Sequence, residues 1–135
     1  MSSEKIINTL LMAAAPVTAI VSTRISAGEL AQGSVLPALG ISHISTVEVS
    51  TIDASAPFKL VQTRIEVTVL AKDYPTVKDL IKKVRAACNY QRGVIGGFTV
   101  ISIVRDTVGP DMRDSDLTVF SQTIDFKVTW QEPNP

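Results

Sequence analysis

From Val61 onward the chain alternates, with Val61, Thr63, Ile65, Val67 and Val69 on one side and Gln62, Arg64, Glu66 and Thr68 on the other. A period of two is that of a strand with one buried face. After the break at Asp73-Tyr74-Pro75 the apolar residues fall at Val77, Leu80, Ile81, Val84 and Cys88. Offsets of three and four place them on one stripe of a helix, predicted from Pro75 to about Asn89, with Lys78, Lys82, Lys83 and Arg85 outside the stripe. A strand feeding an amphipathic helix implies a small α+β fold.

The same reading extends along the chain. Ile6, Ile7, Leu10, Leu11 and Ala14 read as the inner face of a short first helix, with Ser2 or Ser3 as N-cap and Pro16 as its stop. Ala27 to Gly33 is a loop of small residues. A strand beginning near Leu39 continues weakly to about Val49 and, across Ser50 to Pro57, forms a long-looped hairpin with the strand at Val61 to Ala71. Beyond the second helix, Gly93, Gly96 and Gly97 lead into a strand at Thr99 to Arg105. Asp106 to Asp116 is irregular. Leu117 to Trp130 is the longest strand, with Phe120, Ile124, Phe126, Val128 and Trp130 on one face, and Gln131 to Pro135 is a flexible tail. The predicted order is helix-strand-strand-helix-strand-strand, a mainly antiparallel sheet with helices packed on one face. Residues 1–135 are read as a single domain.

Composition narrows the chemistry. Thirteen basic and thirteen acidic residues cancel, so the broad cationic footprint of a phosphate-backbone binder is missing. Cys88 is the only cysteine and lies on the apolar stripe, which suits a buried thiol better than a nucleophile. The N-terminal apolar run resembles a secretory signal superficially, but Glu4 offsets Lys5 and Asn8 and Thr9 interrupt it. No stretch approaches the ~18 uninterrupted apolar residues of a membrane span, and the default compartment is cytoplasm.

Candidate catalytic residues are few. His43, the only histidine, has no acid or nucleophile at a recognisable spacing, and one His with one Cys cannot fill a zinc site. Asp106, Asp111, Asp114 and Asp116 are too irregularly spaced for a calcium loop and have Arg113 among them. Gly93-Val94-Ile95-Gly96-Gly97 follows a helix, so it is not a phosphate cradle. No cofactor or metal is expected. What remains is charge separation: a basic helix face (Lys78, Lys82, Arg85) and an acidic loop (Asp111, Asp114, Asp116), which suit contact between copies of one protein.

Leu36-Pro37-Ala38-Leu39 opening a strand, Arg64 to Ala71, Tyr74, the helix ending Val84-Arg85-Ala86-Ala87, and Ser121 to Val128 together resemble the tail completion (tail terminator) proteins of long-tailed phages and prophages. The resemblance covers nearly the whole chain. It implies a non-enzymatic virion part that forms a ring, commonly hexameric, capping the tail tube and joining it to the head connector or stopper proteins. Such a part sits at the head–tail interface of the virion after assembly in the host cytoplasm, and DNA passes through its lumen without being specifically bound. Two other readings fit the residues: a small α+β enzyme or ligand-binding domain using His43, and another neck or minor tail component.

Overall fold

The computed structural model describes residues 2–28, 35–48, 57–114 and 119–133. Among these residues three helices, α1 (Ser2–Ala13), α2 (Ala15–Val21) and α3 (Tyr74–Cys88), accompany seven strands. The strands are β1 (Ile25–Ala27), β2 (Ala38–Glu48), β3 (Phe58–Ala71), β4 (Gly93–Ile95), β5 (Phe98–Val108), β6 (Met112–Asp114) and β7 (Val119–Pro133). They form one sheet in the order β1-β2-β3-β7-β5-β4, with β6 also on β7. All described pairings are antiparallel except that of β1 with β2. The α+β class stands, but the sheet is mixed and the element order is richer than helix-strand-strand repeated.

The alternation that predicted β3 is what buries it. Val61, Thr63, Ile65, Val67, Val69 and Ala71 are inaccessible or nearly so, and across the ladder Gln122, Ile124, Phe126, Val128 and Trp130 of β7 share their face. Onto it α3 lowers Val77, Leu80, Ile81, Val84 and Cys88, all buried. Ile6, Ile7 and Leu11 of α1 and Val17 and Val21 of α2 complete the core. The other face of the sheet carries Arg64, Glu66, Thr68, Asp125 and Lys127, half-exposed.

Several expectations need correction. The first helix does end before Pro16, at Ala13, but Pro16 also opens a second one, in the first turn of α2, where its missing N–H costs nothing. The chain bends by 89° between α1 and α2. No single helix among the described residues is long and apolar enough to cross a membrane. Ser2 and Ser3 lie inside α1 instead of capping it, and the Ser3 hydroxyl donates to Glu4 Oε1 at 3.1 Å.

Gly96 and Gly97, both at positive φ, close a tight β4–β5 hairpin where only a lead-in was expected. The segment after Arg105 is largely strand. Most plainly, Gln131 to Pro133 is not a tail: Gln131 pairs with Leu60, Glu132 with Lys59 and Pro133 with Phe58. The start of β3 offers them a partner, and the proline that cannot donate comes only at the last described pair. Residues 134–135 lie outside the described residues.

Candidate functional site

The predicted contact residues fall into two separate places. At the N-terminal end of α3, Lys78 reaches over the segment before β6, and its Nζ donates to Asp111 Oδ1 at 2.5 Å and to Gln122 Oε1 at 3.0 Å. Tyr74, one turn earlier, donates its hydroxyl to Asp111 Oδ2 at 2.9 Å. Gln122 Nε2 in turn donates to the Gly109 carbonyl at 2.8 Å. The approach is so close that a Cβ on Gly109 would stand 2.5 Å from Thr123 Oγ1. The Lys78 hydrogen bond, aided by that of Tyr74, holds the Asp111 carboxyl below its ordinary value, and the same bond raises Lys78.

This geometry changes the picture of two opposed patches. Lys78 and Asp111 neutralise each other within one chain, because α3 runs directly beside the β6–β7 ladder. Asp114 contributes its backbone to β6, opposite Val119. Asp116 lies outside the described residues.

At the far end of α3, no acid of the described residues stands within ion-pair distance of Lys82 or Arg85. They line a recess of about 360 Å³ together with Ala86, Asn89, Tyr90 and Arg105. Arg105 comes from β5 and was not singled out by sequence, since nothing in the pattern shows that it folds back against α3. The turn between them is fixed by Tyr90 N–H donating to the Ile103 carbonyl at 2.7 Å and by Arg105 N–H donating to Asn89 Oδ1 at 3.1 Å. Lys83, by contrast, is tied to Asp79 at 2.8 Å, as the i,i+4 spacing suggests.

Elsewhere, Arg64 on the helix-free face of the sheet pairs with Asp106 and, at 3.1 Å, with Asp125; Lys127 stands 3.9 Å from Asp106. His43 is exposed beside a bulge in β2, and its Nε2 meets Thr46 Oγ1 at 2.6 Å. From Thr46 the contacts run through Thr63 Oγ1 at 3.3 Å to Trp130 Nε1, which donates to Thr63 at 3.1 Å. No acid takes part in that chain of contacts among the described residues. A broader groove beside His43 has Glu4, Glu48 and Glu132 on its walls. Burial pushes the Cys88 thiol up to about 12, which suits an inert core side chain. Among the described residues no three His, Cys, Asp or Glu converge as metal ligands.

The described surface is thus that of an α+β scaffold bearing ion pairs and open recesses. The chain belongs to the tail completion protein gp17 family, whose model matches residues 5–131. It is therefore a structural component of the virion tail. Its fold is similar to that of a chain in the virion of a native gene transfer agent particle, with a TM-score of 0.72 and 13% identity over 97% of this chain and 96% of that one. No protein of curated function matches it.

Proposed function

We propose that this protein assembles as a closed ring, hexameric by analogy with its family, that caps the tail tube and joins it to the head connector without catalysing a reaction. The observation that carries the reading is family membership over nearly the full chain, from residue 5 to 131. The likeness to a chain of a gene transfer agent virion agrees with it. The chemistry of the surface supports it too. The surface pairs Arg64–Asp106 and Lys78–Asp111 tie cations to acids of the same chain, and His43 meets Thr46, with no acid in that contact among the described residues. Self-association, the tail tube protein and the head connector are the contacts this reading requires. A cyclic assembly needs two different patches on each subunit, because a self-complementary patch stops at a dimer. Tail DNA crosses the lumen without a dedicated site.

The test is complementation of a host strain whose prophage lacks this protein, with electron microscopy of the tails. Added protein is expected to restore tails of defined length joined to heads, and rings are expected on the tube ends. Tails that form and join normally without it would overturn the proposal. His43→Gln is expected to support joining as well as the parent does, whereas a folded, ring-forming variant that fails to join would favour the His43 reading.

A further inference from the structure

The recess at the C-terminal end of α3 holds three cations with no counter-charge. Lys82, Arg85 and Arg105 all line it, and no acid lies within ion-pair distance of any of them among the described residues. Arg85 is the telling member. Its Nε is shut off from solvent and has no hydrogen-bond acceptor. A desolvated guanidinium N–H without a partner is unfavourable, and like charges gathered in one recess repel. Beside them Tyr90 stands 75% exposed on a backbone at φ 62°, a conformation that a bulky residue seldom adopts. An anion at the open side of the recess would offset the gathered charge, even though the Arg85 Nε itself lies beneath the surface. A guanidinium fork suits a planar carboxylate, which can take two parallel hydrogen bonds.

A matching carboxylate sits at the other end of the same helix. Asp73 is the N-cap residue of α3, yet its side chain makes no capping hydrogen bond, and it is exposed with no cation paired to it among the described residues. At 1.5 Å rise per residue, Asp73 and Arg85 stand about 18 Å apart along the axis, too far to meet within one chain. We infer that Lys82, Arg85 and Arg105 form a receptor for Asp73 of a second copy. Two unlike ends of one helix then meet head to tail, which is the heterologous contact that propagates around a ring. The inference rests on the ring reading and names the contact. A phosphate backbone is the poorer occupant, because the cations are confined to one recess and Asp79 lies one turn from Lys82.

The experiment uses the purified full chain, with self-association followed by mass photometry and sedimentation across a salt series. Arg105→Asp and Asp73→Arg are each expected to raise the concentration needed for assembly roughly tenfold at low salt, and their combination to restore it. Arg85→Met is expected to weaken assembly while the melting temperature of the monomer holds or rises, an outcome that a purely structural arginine would not give. Single variants that assemble like the parent, or a combination no better than either alone, would overturn the contact and leave the ring reading standing. So would duplex DNA that binds the parent and is released by Arg105→Asp. A parent that makes no ring alone or on tail tubes removes the ring reading and the contact with it.

Discussion

Leu80 is fully buried where α3 meets the sheet, so Leu80→Ala measures how much that contact holds the fold together. The change removes three carbons, worth about 2.4 kcal/mol at roughly 0.8 kcal/mol per CH2. The void adds to this according to how far its walls can relax. Here the walls are paired strands and a helix pinned by Val77, Ile81 and Val84 on the same stripe, so relaxation is small and the total should reach about 4 kcal/mol, inside the range of about 2–5 for buried leucines. Against a total stability of about 5–15 kcal/mol, that is a large share. For a chain of this size the melting temperature should fall by roughly 15 °C, and the urea midpoint by roughly 2–3 M with an unchanged slope. Leu80→Asp should not fold at all, since it leaves an unpaired charge in the core. Lys82→Ala, about half a turn round the helix and exposed, is the control and should stay within about 0.5 kcal/mol. Equilibrium unfolding at a concentration where the parent is monomeric decides the matter. Coincident midpoints for Leu80→Ala and Lys82→Ala would refute the packing of α3.

Thr63→Val keeps the shape of its site but strands the buried indole N–H of Trp130, so it should destabilise by about 1–3 kcal/mol in the same assay; a neutral outcome would mean that bond carries nothing. Cys88 should resist a thiol reagent at mildly alkaline pH in the folded protein and react fully in denaturant, and rapid labelling of native protein would contradict its burial. The Lys78–Asp111 bond sets two pH limbs. The Asp111 contribution is complete above its ordinary value of 3.8 and is lost as pH falls through the lower folded value. That of Lys78 is complete below 10.5 and is lost as pH rises through the higher folded value. Asp111→Asn should therefore flatten both limbs of a melting-temperature profile, and unchanged limbs would show that the pair is not formed in solution.

What the sequence made legible is what repeats within a few residues. The stripe of α3 and the alternation in β3 and β7 could be read because each position confirms the next, and the core they predicted is the core found. Single residues were harder. Pro16 can end one helix or open another, and only the packing of Val17 and Val21 decides. The three residues of β1 have no period to detect; they lie along β2 beside a link in which Arg24 Nε donates to the Pro37 carbonyl at 2.9 Å. The pairings around the candidate residues were hidden for a related reason. Lys78 meets Asp111, and Arg85 shares a recess with Arg105, through the path of the chain between them, which leaves no trace in local spacing.

The position of β7 has a consequence for how the molecule comes into being. It is the last described strand to leave the ribosome, yet it lies between β3 and β5, and its Trp130 bonds to Thr63, 67 residues earlier. Until it arrives, β3 has one open side and α3 covers half a floor. Helices can form early, but the sheet closes only when the final segment threads between two strands already made. Pairings that distant close slowly, and an unfilled edge is an invitation to strands from other chains. A nascent chain halted before Val119 would thus carry all three described helices and still lack the strand that makes the two halves one sheet.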